Sequence, residues 1–200
     1  VGEADRYYAA LQTGSLTKAL ELKDVRVINR HFVSLPRQQQ RLLQAQFPEL
    51  LELAEVGGAK GFHQLDVSVF DHWLSADEAI AEMDEVSLAS EQANNEKLAT
   101  FARLLASRNQ CYLVKFKGRY HKRPVFKEFL SDEKRNRWLT PLPHDVGDNW
   151  RFRLLFPQLQ MVYFEGSDFT HHIYLKEKGG QQVIEAAAVD AVLYLLSQVN

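Results

Sequence analysis

Three short runs near the C-terminus, WRFRLLFP, LQMVYFEG and THHIYLKE, carry apolar residues at alternating positions and are separated by turn-forming residues. Period-two alternation is the signature of β-strands, whose successive side chains point to opposite faces. The segment 150–177 therefore reads as a three-strand antiparallel meander, with Pro157-Gln158 in the first turn and Gly166-Ser167-Asp168 in the second. A two-residue first turn sets Leu154 opposite Met161 and Phe152 opposite Tyr163. Continuing through the second turn sets Met161 opposite Tyr174, Tyr163 opposite His172 and Glu165 opposite Thr170. One face then carries Phe152, Leu154, Phe156, Met161, Tyr163 and Tyr174. The other carries Leu155, Val162, Phe164, Ile173 and Leu175. Both are apolar near the first turn, so the sheet is expected to be covered on both sides there.

Upstream, the spacing turns helical. Glu3–Gln12 and the stretch after Ser15 read as short helices, the first ending at Gly14. Val25–Val33 is open between strand and irregular structure. Ser34-Leu35-Pro36 opens a helix with a glutamine-rich polar side that Pro48 should end, since proline cannot donate to a helix. Glu49–Glu55 adds a turn or two before Gly57-Gly58. Leu65, Val67 and Val69 alternate as a short strand. Ser75-Ala76-Asp77-Glu78 is a capping box, and a longer helix covers roughly Glu91–Ala106. Cys111–Phe116 is a strand. Lys117–Asn149, with prolines at 124, 141 and 143, reads as loop and short helix. Gln182–Gln198 is apolar nearly all round, which predicts a final helix buried on more than one side or shared with a second copy in a homodimer.

Together these elements predict an α+β fold in one domain, residues 1–200. The expectation is a helical part over 1–110, then a sheet of about four to five antiparallel strands with an apolar C-terminal helix packed on it, over 111–200.

Composition narrows the class. Apolar content of 46% and charged content of 25% are those of an ordinary globular domain. No run approaches the ~18 apolar residues of a membrane span, and no signal-peptide pattern opens the chain. A single cysteine, Cys111, excludes an internal disulfide framework and cysteine-rich zinc motifs, which fits a cytoplasmic protein. The net charge of −2 hides a segregation. Between Gly61 and Glu96 there are nine acids and no Lys or Arg, whereas Lys115–Arg137 holds nine Lys/Arg against three acids, a balance of +6.

Candidate chemistry gathers in two places. At the open end of the meander, Arg151, Arg153 and His171 share one predicted face, with Glu165 and His172 on the other and Asp168 in the turn. Alternate arginines on one strand make a row of forked donors for carboxylate or phosphate. A histidine with a carboxylate suits acid–base work in a small hydrolase-like enzyme. Glu165, Asp168, His171 and His172 are a weak metal set, because adjacent histidines on a strand diverge. The bland alternative is a set of ion pairs closing a sheet end. The second place is the basic segment. Lys115, Lys117, Arg119, Lys122 and Arg123 alternate with Phe116 and Tyr120, as in surfaces that bind an acidic protein or single-stranded nucleic acid. No nucleotide-, metal- or cofactor-binding motif accompanies either place, so no cofactor is expected. The leading expectation is a non-catalytic, adaptor- or immunity-like binding protein that meets a protein partner through charge. Nucleic-acid binding follows, then the enzyme.

Overall fold

The structure, a computed structural model, describes residues 31–84, 86–118, 122–141, 152–166 and 168–196. The two N-terminal helices expected over 3–23, Arg119 and Arg151 lie outside the described residues.

Eight strands form one antiparallel sheet. They are β1 (Phe32–Ser34), β2 (His63–Ser68), β3 (Tyr112–Lys117), β4 (Arg123–Phe129), β5 (Arg153–Phe156), β6 (Met161–Phe164), β7 (Thr170–Leu175) and β8 (Tyr194–Leu196). Their order across the sheet is β1-β4-β3-β5-β6-β7-β2-β8. Six α-helices are described: α1 (Arg37–Gln46), α2 (Leu50–Val56), α3 (Ala76–Ala79), α4 (Leu88–Arg108), α5 (Asp132–Trp138) and α6 (Gln181–Asp190).

The expectation of four to five strands with one helix packed on them is therefore corrected. Strand β2 holds the short strand expected at Leu65 and Val67, whereas β1 comes from the end of the ambiguous Val25–Val33 stretch. Another, β4, lies within a segment read as loop. It was hidden by its charge and by Pro124, which a central strand does not tolerate. Pro124 is accommodated because that part of β4 runs beyond β1, and its carbonyl accepts from the Gln44 side chain at 2.8 Å.

The sheet is the middle of three layers. On one face Leu113, Leu154, Phe156, Met161, Tyr163 and Ile173 pack with Leu98, Phe101 and Leu105 of α4 and Ile184, Ala187 and Ala188 of α6. On the other, Tyr112, Val114, Leu155, Val162 and Tyr174 pack with Leu43 of α1, Phe47 after it, and Leu50 and Leu53 of α2. Each fully buried Phe or Leu contributes roughly 1.5–3 kcal/mol by leaving water. Pro48 does separate α1 from α2, and Gly57 ends α2 in the left-handed conformation at φ 74°. Ser75 caps α3 with the full reciprocal pattern: its hydroxyl takes the Glu78 N–H and the Glu78 carboxylate takes its own.

The final helix is much shorter than its apolar run. It stops at Asp190, and the chain returns as edge strand β8 beside β2. The stop is a Schellman motif: Leu193 N–H bonds Ala188 O at 2.9 Å and Val192 N–H bonds Val189 O at 3.1 Å. Its left-handed residue is Val192, at φ 56°, where glycine would be usual. Only one side of α6 is buried, and Val189 is 75% exposed. The expectation of burial on several sides fails with the helix length.

Candidate functional site

The meander forms in the expected order, but both turns are longer than the apolar pattern suggests. The first is a 3-10 turn over Pro157–Leu159 followed by left-handed Gln160, and it places Leu154 opposite Tyr163 rather than Met161. That shift is two residues, so the faces of β5 and β6 survive. In the second, Met161 lies opposite Leu175 and Phe164 opposite His172, a shift of one. A one-residue slip exchanges faces. Tyr174 and His172 move to the α1/α2 side, and Ile173 and His171 to the α4/α6 side.

The predicted polar end is thereby taken apart. His171 is 1% exposed in the main core, where its Nδ1 meets the Tyr163 hydroxyl at 2.6 Å. Burial, aided by the Glu165 charge, pushes the Tyr163 phenol well above its ordinary range. The phenol therefore keeps its proton. Glu165 is buried too, and its Oε2 accepts from the Phe152 N–H at 2.7 Å, clamping β6 to β5. Arg153 lies on the other face, with its guanidinium 5.8 Å from the Phe116 ring centre and 5.7 Å from that of Phe164. Asp168 is half-buried in the second turn. Arg153 and His171, expected on one face, are on opposite ones, and so are His171 and His172.

Of the two candidate histidines, His172 does pair with a carboxylate, an unexpected one. His172 stands directly across from Asp66 of β2, Nδ1 to Oδ1 at 2.7 Å. Asp66 is fully buried, and Gln64 Nε2 also donates to its two oxygens, at 2.9 and 3.2 Å. The arrangement fixes the imidazole against a buried carboxylate at a half-buried position. Among the described residues no group of three His, Cys, Asp or Glu side chains is arranged to hold a metal ion.

The basic segment gives the more developed site. Lys117 pairs directly with Arg123, Lys115 with Val125 and Leu113 with Lys127. Residues paired across antiparallel strands share a face, so Lys115, Lys117, Arg123 and Lys127 all stand on one side of the hairpin. Glu128, the one acid of β4, alternates to the face that α1 covers, near Tyr112. Lys115 is occupied by rings: its ammonium lies 5.4 Å from the Phe32 ring centre and 5.3 Å from that of Trp138. Lys127 lies 4.8 Å from Phe32. Burial, and then the charge of Lys117, lowers the Lys127 pKa. Lys122 is exposed just before β4.

Beyond this face an open cleft of about 540 Å³ runs between the hairpin and α1. Ser34, Lys117, Arg123 and Val125 line it from the sheet, and Arg37, Gln40, Arg41 and Gln44 from the helix. Among these described residues there is no acid and no aromatic ring. Helix α1 is fastened there by its glutamines. Gln40 donates to Phe126 O at 2.6 Å and accepts from Phe126 N at 2.9 Å, while Gln44 holds Pro124 O. These bonds satisfy the β4 edge where β1 no longer covers it. They also bring Arg37 and Arg41, one helical turn apart, to the cleft that Lys117 and Arg123 border from the other face of the sheet. Among the described residues none of the four cations is ion-paired. Strand β2, which leads into the acidic segment, lies four strands from β3, about 19 Å at the usual strand spacing.

Arg37 and Arg41 are absent from the sequence-based candidates. Their signal was present, since RQQQRLLQAQ has two arginines at i and i+4 and no acid. What the sequence lacks is any sign that this helix lies along β4. Compared with protein-family models, with curated proteins and with solved structures, the chain matches none. No helix among the described residues is long and apolar enough to cross a membrane.

Proposed function

We propose that this chain is a non-catalytic, adaptor-like binding protein that captures an acidic protein partner at the cationic corner formed by α1, β3 and β4. The observation that carries this reading is the cleft itself, which Arg37, Arg41, Lys117 and Arg123 all line, with no ion pair to any of them among the described residues. Four like charges held together repel one another, and that repulsion is relieved when an anion enters. Complementary charge of this kind steers encounter and selects the partner. The basic segment read from sequence supplies half of the site, with Lys122 at its rim.

An acidic protein fits better than nucleic acid for two reasons. Single-strand binders stack bases on aromatic rings, and the described residues of the cleft lining include none. A long phosphate backbone also needs an extended basic track, whereas this patch is one corner of a chain of net charge −2. Its one cysteine and lack of any disulfide are in keeping with work in the cytoplasm.

The test is a pair of titrations, one with a glutamate-rich peptide and one with a single-stranded oligonucleotide, on the native protein and on Lys117→Glu/Arg123→Glu. The reading expects peptide binding that weakens with salt and is lost in the variant. Tighter binding of the oligonucleotide, or peptide binding unchanged by the variant, would overturn it.

A further inference from the structure

Resting on that reading, we propose that the cleft recognises a phosphoryl group on the partner, so that the chain binds a phosphorylated segment in preference to its unmodified form. The argument concerns how charge is delivered. Along an extended chain each residue advances about 3.3–3.6 Å and alternate side chains point away. Carboxylates therefore reach one side as single charges about 7 Å apart. A phosphoryl group brings about −1.5 to −2 charges and three acceptor oxygens to one point. The cleft is built for the second kind of delivery. Arg37 and Arg41 stand one turn apart on α1, and Lys117 and Arg123 stand directly across one strand pair. All four border the same cavity of about 540 Å³. Guanidinium forks match the paired oxygens of phosphate, and a lysine adds a point charge.

Two further features agree. The backbone of β4 at Pro124 and Phe126 is already bonded by Gln44 and Gln40. A partner segment therefore gains no strand pairing there and must be held through its side chains. Ser34 adds a hydroxyl donor to the lining. It sits just before α1, whose first turn contains no acid and whose N-cap, Pro36, makes no side-chain cap bond. The helix dipole thus adds to the positive field of the four side chains.

The experiment is fluorescence anisotropy with three labelled peptides of one acidic sequence, carrying at a single position phosphoserine, serine or glutamate. The expected result is that the phosphoserine peptide binds at least tenfold tighter than the other two. Millimolar inorganic phosphate should compete, and Arg37→Gln/Arg41→Gln should erase the preference while leaving the melting temperature within a few degrees. Equal binding of all three peptides, lost in Arg37→Glu/Arg41→Glu, would sink the phosphoryl inference and leave the acidic-partner reading standing. No binding of any peptide to the native protein would sink both. If inorganic phosphate or a short polyphosphate bound as tightly as the phosphopeptide, the ligand would be a small phosphate compound, and the partner half of the proposal would fall.

Discussion

Gly166 sits where the second turn of the meander passes closest to itself, and replacing it by alanine tests the register on which the placement of His171 and His172 depends. A Cβ built there falls well inside contact distance of the Thr170 carbonyl oxygen and 3.1 Å from its carbonyl carbon. Both atoms are backbone, so no rotamer change relieves the overlap. Thr170 is itself held, by pairing with Ser68 and by its hydroxyl donating to the Ser68 hydroxyl at 2.9 Å. On the other side, Glu165 is clamped to Phe152 through its backbone N–H and its carboxylate. Adding atoms to a packed site typically costs about 1–3 kcal/mol. Because this clash is with backbone pinned at both ends, Gly166→Ala is expected at the top of that range, about 3 kcal/mol. For a chain of this size that is a fall in melting temperature of roughly 6–12 °C. The assay is urea and thermal unfolding followed by circular dichroism, with Gly58→Ala as control, since nothing lies within 4 Å of a Cβ there. A loss below about 1 kcal/mol, or one equal to that of the control, would refute the close approach.

Val192→Gly should raise stability by about 0.5–1 kcal/mol, because a β-branched residue in the left-handed region is strained and Val192 is 66% exposed; a lower unfolding midpoint would contradict the Schellman ending of α6. Cys111 has its thiol pushed up to about 12, chiefly by burial. At pH 8 the thiolate fraction is then about 10⁻⁴, so a disulfide reagent should label it roughly a thousandfold more slowly than an ordinary thiol; labelling at the ordinary rate would show an unshifted thiol. Since the folded value exceeds the ordinary one of 9.0, the same group contributes stability that is complete below pH 9.0 and lost as pH rises towards 12. Leu193→Asp places an unpaired carboxylate in the main core, where Leu193 is 7% exposed, and should unfold the chain. A folded variant eluting later in size exclusion would instead assign Leu193 to a contact between copies.

What sequence alone made legible follows from how local each signal is. The Ser75 capping box, the Gly57 stop and the alternation of β5, β6 and β7 depend on residues a few positions apart, and all are present. The register depended on turns whose lengths the pattern does not encode. Gln160 and Phe169, both at positive φ, are not residues that announce a left-handed position. The C-terminal helix was drawn too long for the same reason, because Val192 occupies a place that glycine usually marks. For the site, Lys117 and Arg123 were visible in the basic segment, but their partners required a contact more than seventy residues away in sequence, through Gln40 and Gln44. The Asp66–His172 pair, 106 residues apart, was equally out of reach.

The central claim is that an acidic partner binds at the corner of α1, β3 and β4. Backbone amide shifts recorded by NMR during titration with the phosphoserine peptide test it most directly. The account predicts that the largest changes fall within Ser34–Gln44, at Lys117 and within Arg123–Lys127, fading as salt is raised. Changes centred instead on Asp66 and His172, or on the acidic stretch around α3, would contradict it.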